Sequence, residues 1–309
     1  MRLLTFKVNG QPKLGAEYDN HVLDLNQTCQ LMLAEKGEPS PERLADALLP
    51  SDMVQFLQGG SRCLQTAYEA IEFLGKCKEE SRQAVLFSKD EVDVLAPVVN
   101  PGKILCVGRN YKEHVREMKH SDLPEFPVLF AKFSNTIAAH NEPIPVSKHV
   151  TQFDYEAELA VVIGRSGRDI EKDKALDYVA GYMCLNDLSA RDWQTRTPQW
   201  LQGKSFDKAA PMGPVLVTAD EIPDPQTLEV RQWVNGELRQ SAHTSQMIFD
   251  VITLVSYISQ VMTLEPGDII ATGTPSGVGA GMNPKSFLKP GDTVRVEIER
   301  IGQLDNRIV

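Results

Sequence analysis

One segment constrains this chain more than any other: Asp154-Tyr-Glu156-Ala-Glu158-Leu-Ala-Val-Val-Ile163. Its second half, residues 159–163, is an unbroken apolar run of strand length, which suits a strand covered on both faces. Its first half sets three carboxylates at i, i+2 and i+4, and on a strand those positions point to the same side. Like charges beside a buried strand repel and lose hydration, so they need a cation, a proton or open water to persist. A strand end frayed into solvent is the other reading of the same residues.

The remaining patterns favour strands after about residue 95. Residues 104–107 form a second short, wholly apolar run. Val294, Val296 and Ile298 alternate with Arg295, Glu297 and Glu299, as a half-exposed strand should. Asn235-Gly236 between 230–234 and 237–240 predicts a tight hairpin. One amphipathic helix intervenes, with Ile248, Val251, Ile252, Val255, Ile258 and Met262 on one face. No regular βαβ alternation is present, so a strand-rich α+β fold with scattered helices is expected rather than a doubly wound sheet.

The first 95 residues read as a small α+β unit with a packing or dimerisation role. Residues 3–8 and 21–25 are strand-like around turns at Asn9-Gly10 and Tyr18-Asp-Asn20, and Leu64, Ala67, Ile71 and Leu74 keep helical spacing after Gly59-Gly60-Ser61. Ala96-Pro-Val-Val-Asn-Pro-Gly102 reads as a hinge, giving an organisation of 1–95 and 96–309.

Charge and composition exclude several classes. The 309 residues carry 32 Lys and Arg against 42 Asp and Glu, a formal charge of −10, which argues against a nucleic-acid partner. No apolar run approaches the roughly 18 residues of a membrane helix; the longest, 247–262, is interrupted by Asp250. The start, Met1-Arg-Leu-Leu-Thr-Phe-Lys7, lacks a signal peptide's apolar stretch and cleavage site. Cys29, Cys63, Cys77, Cys106 and Cys184 are odd in number and never spaced CxxC, so they read as reduced thiols. The expectation is an acidic cytoplasmic protein without a membrane partner.

Candidate chemistry starts with the acids. A strand reading through 180–186 places Asp187 where the chain turns into a helix from Leu188 onward, with Ser189 and Asp192 resembling a capping pair. Glu156, Glu158 and Asp187 then come from the ends of two strands, and an all-oxygen set suits a hard ion such as Mg²⁺ or Mn²⁺. Three carboxylates around such an ion leave the site near −1. Arg191 and Gln194 follow Asp187 around the helix, and Lys204 sits in Gln202-Gly-Lys-Ser-Phe-Asp207; cations there would hold an anionic substrate. His114 and Glu117 share a helical face at i, i+3, so the carboxylate can orient the imidazole. The glycine-rich stretch 272–281 lacks the Gly-Lys-Ser/Thr ending of a phosphate loop and is not a Gly-x-Ser-x-Gly elbow. It reads as a flexible loop that lets backbone approach a ligand.

Six separated motifs then occur in order: Val107-Gly-Arg-Asn-Tyr-x-x-His-x-x-Glu117, Asp154-Tyr-Glu-x-Glu-Leu159, Gly181-Tyr-x-x-x-Asn-Asp-x-Ser-Ala-Arg-Asp192, Gln202-Gly-Lys204, Pro211-Met-Gly-Pro214 and Thr272-Gly-Thr-Pro-x-Gly-Val278. This series resembles the fumarylacetoacetate hydrolase family over about residues 95–309. The first 95 residues look like the small leading domain of its longer members, which include oxaloacetate decarboxylase/tautomerase-like and acylpyruvase-like proteins. The resemblance implies a β-sandwich roll, usually a homodimer, with Mg²⁺ or Mn²⁺ on Glu156, Glu158 and Asp187. It casts His114 and Glu117 as a water-ordering dyad on a mobile lid and Lys204 as an active-site cation. Arg109, Arg191, Gln194 and Thr274 would face substrate.

These pieces fit one logic, a small 2-oxo acid whose C3–C4 bond breaks to leave a pyruvate enolate stabilised by the ion. Water attack on a C4 ketone gives acylpyruvate hydrolysis; loss of a C4 carboxylate gives oxaloacetate decarboxylation; moving a C3 proton alone gives tautomerisation. The residues do not choose among them. The alternatives are a decarboxylase/isomerase of the homoprotocatechuate pathway and a catalytically silent metal-binding scaffold.

Overall fold

In the computed structural model, which describes residues 1–119 and 121–309, the strand holding the apolar run is buried at every position. The strands building the core are β1 (Arg2–Val8), β2 (Gln11–Tyr18), β3 (His21–Asp24), β4 (Leu86–Ser88), β5 (Ile104–Gly108), β6 (Val128–Lys132) and β7 (Ala157–Ile163). They continue with β8 (Val179–Asn186), β9 (Ala210–Thr218), β10 (Glu229–Val234), β11 (Glu237–His243), β12 (Ile269–Ala271), β13 (Thr293–Ile298) and β14 (Gly302–Arg307). The principal sheet runs β4-β3-β2-β1-β9-β8-β7-β12-β5-β6, and two-residue strands at Asp93–Val94 and Ile137–Ala138 pair off this path. Only the β12–β5 step of the path is parallel. A second antiparallel sheet has the order β11-β10-β13-β14.

The alternation along β7 explains its unbroken hydrophobicity. Ala160 and Val162 pack with the layer of leading helices, α1 (Leu25–Glu35), α2 (Pro41–Leu48), α3 (Met53–Gln58) and α4 (Gly60–Lys76). Leu159, Val161 and Ile163 pack with Val230, Val296 and Ile298 of the second sheet. A strand sandwiched this way has no wet face on which to place a polar residue. The same holds for β5, where Ile104 and Cys106 face one layer and Leu105 and Val107 the other.

Beyond the leading segment the helices are short, α5 (Lys112–Glu117), α6 (Arg191–Gln194) and α7 (Leu201–Lys204), followed by the longer α8 (Val251–Val261). Asp250, which breaks the longest apolar run, caps α8 by accepting from the Thr253 amide. The buried face of α8 is Val251, Leu254, Val255 and Ile258, while Ile248 and Met262 of the expected stripe fall outside the helix. The hairpin at Asn235-Gly236 joins β10 to β11 with φ of 52° and 80°, as a two-residue turn requires.

The leading segment is stitched to the rest of the chain. β1 pairs with β9 (Leu3 opposite Leu216), and the Thr5 hydroxyl donates to the Pro97 carbonyl across the expected hinge. Leu3 and Leu14 share a core with Met183 and Leu216. The local pattern changes at 95/96, but sheet and core run through it. β2 has no counterpart among the expected strands because Pro12, Lys13, Gly15 and Glu17 break its alternation. Gly15 is required there, since a β-carbon would lie 2.7 Å from the Leu23 carbonyl oxygen. Among the described residues no helix is long and apolar enough to cross a membrane.

Candidate active site

The acids converge through strand register. β7 and β8 are antiparallel with Glu158 opposite Leu185 and Ala157 opposite Asn186, so the next pair is Glu156 and Asp187. The Asp187 amide indeed donates to the Glu156 carbonyl at 2.9 Å. Two-residue alternation then puts Glu156, Glu158 and Asp187 on one face at one end of the sheet. One oxygen from each lies within 4.8 Å of the others, and all three residues are buried.

Buried cations surround them. Lys204 Nζ lies 2.7 Å from both Glu156 Oε2 and Asp187 Oδ2. Lys132, which ends β6, places Nζ 2.7 Å from Asp187 Oδ1 and donates also to the Leu188 carbonyl. Arg191 bridges Asp154 (2.9 Å) and Glu156 (2.7 Å), and its remaining edge donates to Gln194 Oε1 at 3.1 Å. Gly203 lets α7 approach α6, because a β-carbon there would sit 2.5 Å from the Gln194 backbone nitrogen.

These contacts divide the acids. Burial alone would push the Glu156 carboxyl up, but Arg191, Lys204 and His114 together hold it well below the usual carboxylate range. Glu158 goes the other way: burial, then Asp187 and Glu156, push it well above, and among the described residues its only donor is the Gly273 amide at 2.7 Å. Lys204 is desolvated too, yet Asp187 and Glu156 keep its ammonium firmly charged. An all-oxygen trio with one member lacking a cationic side chain is a donor set suited to a hard divalent ion.

A cavity of about 510 Å³ opens onto this face, walled in part by Arg109, His114, Phe130, Trp200, Lys204 and Thr274. On α5, His114 Nδ1 faces Glu117 Oε2 at 3.3 Å, so the i, i+3 pairing is present. The other Glu117 oxygen accepts from the Gly277 amide at 2.9 Å. Thr274 is held by Gln240 Nε2, which also bonds the Pro275 carbonyl, while Gln240 Oε1 accepts from the Ala157 amide. Asn110 donates to the Thr272 and Phe249 carbonyls and accepts from the Phe249 amide.

Arg109, His114, Glu156, Glu158, Arg191, Gln194, Lys204 and Thr274 line this cavity, and Glu117 and Asp187 stand behind His114 and Lys204, but four details differ from the sequence reading. The helix after Asp187 starts at Arg191, because Ser189–Ala190 pairs as a short strand with Phe153–Asp154. Ser189 and Asp192 are not a capping pair: Ser189 donates to the Asp187 carbonyl, and Asp192 accepts from the Thr151 amide and hydroxyl. The loop 272–281 is pinned rather than flexible, since amides of Gly273, Gly277, Gly279 and Ala280 bond Glu158, Glu117 and, for the last two, Asp154. The charge tally also changes: Asp154 adds a fourth buried carboxylate, and Lys132, Arg191 and Lys204 pair with Asp154, Glu156 and Asp187. Lys132, Gln240, Asn110 and Trp200 do not stand out as site residues from sequence. A lone lysine closing the apolar strand Val128–Lys132 is the one available clue.

Comparison with known proteins matches this architecture. Residues 103–309 match the family model described as fumarylacetoacetate (FAA) hydrolase, C-terminal. The chain is 40% identical over 315 residues to the mitochondrial oxaloacetate tautomerase fahd2 of Xenopus laevis, covering 100% of this chain and 90% of that one. It is 44% identical over 263 residues to the oxaloacetate tautomerase YisK of Bacillus subtilis, covering 84% and 87%. The structure of maleylpyruvate hydrolase from Sphingobium sp. SYK-6 with manganese(II) and pyruvate superposes with a TM-score of 0.70 at 28% identity, covering 100% and 99%. The matched residues span the acidic trio, the dyad and the glycine loop, and this chain belongs to the fumarylacetoacetate hydrolase family.

Proposed function

We propose that this enzyme interconverts the keto and enol forms of oxaloacetate, using Mg²⁺ or Mn²⁺ held by Glu156, Glu158 and Asp187. The observation that carries the reading is the buried trio, in which Glu158 has no cationic side-chain partner among the described residues, set beside an imidazole oriented by Glu117. The names borne by the tautomerase relatives support the substrate.

When bound, a divalent ion supplies Lewis-acid stabilisation of negative charge on a ligated oxygen. The protein's own residues do the rest. In tautomerisation a proton leaves C3 and one arrives on the C2 oxygen, with no bond between heavy atoms broken or formed. An imidazole is the side chain best suited to take and return a proton near neutral pH. Glu117 holds Nδ1, which leaves His114 Nε2 for that transfer. Lys204 and Arg191 fix the carboxylates while also lining the cavity, and Phe130 and Trp200 exclude water along one wall.

The test is decay of enol absorbance by purified protein with Mg²⁺, with Mn²⁺ and after chelation. Acceleration with a metal and its loss on chelation are expected; no acceleration with either metal ends the proposal. A second reading, hydrolysis of an acylpyruvate, draws on the maleylpyruvate hydrolase likeness. Pyruvate release from acetylpyruvate faster than oxaloacetate tautomerisation would favour it.

A further inference from the structure

Among the described residues four basic side chains border the cavity, and three are already engaged. Arg191 is held by Asp154 and Glu156, Lys204 by Glu156 and Asp187, and His114 by Glu117. Arg109 is different: among the described residues it has no carboxylate within ion-pair distance, and its Nε is buried without a hydrogen-bond partner. Its guanidinium carbon lies 5.6 Å from the centre of the Trp200 ring. A guanidinium resting on an indole keeps its planar edge available, and that edge presents paired N–H groups matched to a carboxylate.

The backbone points the same way. Arg109 has φ of 58°, in the left-handed region that a residue with a β-carbon adopts at a cost. Its neighbour must be glycine for the stack to form, since a β-carbon at Gly108 would meet the Trp200 ring at 2.4 Å.

We propose that Arg109 receives the substrate carboxylate farthest from the acidic trio, and so selects 2-oxo acids bearing a second carboxylate over those ending in a neutral group. The proposal rests on the 2-oxo acid reading above and adds to it the determinant of specificity.

Malate and lactate, 2-hydroxy acids that differ only by that distal carboxylate, are the probes for calorimetric titration of the Mn²⁺-loaded protein. The wild type is expected to bind malate at least about 30-fold tighter than lactate, the range of a charge-assisted pair. Arg109→Asn removes the charge with a residue that tolerates left-handed backbone. It should reduce that preference to within about threefold through loss of malate binding alone, with Arg109→Lys in between. In turnover, Arg109→Asn should raise KM for oxaloacetate far more than it lowers kcat. The proposal is overturned if the wild type shows no preference, if Arg109→Asn retains it, or if lactate binding falls as far as malate binding. Should the wild type fail to tautomerise oxaloacetate, the proposed reaction fails, while the malate and lactate titrations still judge Arg109.

Discussion

β7 has a cavity at each end. At its start, Glu156 and Glu158 border the roughly 510 Å³ space shared with His114 and Arg109. Past its other end, Gly164 and Arg165 border a larger one of about 770 Å³, walled by Leu3, Phe56, Leu57, Leu64 and Val179. Yet among the described residues the three-carboxylate cluster occurs only at the smaller site. The larger cavity lies between the leading helices and the ends of central strands, and its lining mixes apolar side chains with polar ones such as Asp177, Thr218 and Asp220. The smaller is held by charges that cannot be removed singly. Chemistry in this fold follows concentrated buried charge, and cavity volume is a poor guide to it.

That contrast can be broken experimentally, most forcefully at Asp187. Asp187→Ala would strand Lys132, a buried ammonium group, leave Lys204 with Glu156 alone, and should cost about 3–5 kcal/mol of stability. It should also remove metal binding and turnover; denaturation and metal titration check both. A stable, metal-binding variant would show that the charges are not interlocked. Next in size, His114→Ala should lower kcat by roughly 10²–10⁴ while leaving metal affinity and thermal midpoint nearly unchanged. At the opposite end of β7, Phe56→Ala should cost about 3 kcal/mol in stability by cavity creation, with kcat unaltered. A fall in kcat there would mean that the two ends are coupled.

The smallest effect lies in the leading segment, at Glu17 on β2. Burial works against its charge but is outweighed by hydrogen bonds to Lys89 and Arg2, so its carboxyl sits below the ordinary 4.5. A lowered folded value stabilises the folded state above pH 4.5, and the contribution vanishes as pH falls through it. Glu17→Gln should therefore reduce stability slightly at neutral pH and not at all in strong acid, as denaturant titrations across that range would show.

Much of the site is readable because two-residue periodicity is a local rule. Glu156 and Glu158 share a face by spacing alone, and the apolar run after them announces a strand covered on both sides. Lys132 cannot be placed that way: its partner Asp187 is 55 residues distant and meets it only after β6 and β8 join one sheet. Spacing extends helix α6 too far because its preceding residues pair with Phe153–Asp154, a contact no local pattern encodes. The glycine loop looks flexible on paper for a related reason. Its bonds are made by main-chain amides, which every residue but proline carries, so the letters give no sign of them.

A loop that acts through its main chain has an unusual relation to mutation. A methyl group at Gly277 would lie 1.9 Å from the Arg239 carbonyl oxygen, and one at Gly279 2.0 Å from that of Ser286. Since those amides seat Glu117 and Asp154, such a methyl would disturb both the His114–Glu117 pair and the Arg191 anchor. Anyone seeking to redirect this enzyme should leave that stretch untouched and begin with the wall at Trp200, whose ring carries Arg109, rather than at Phe130, whose ring lies against Lys204.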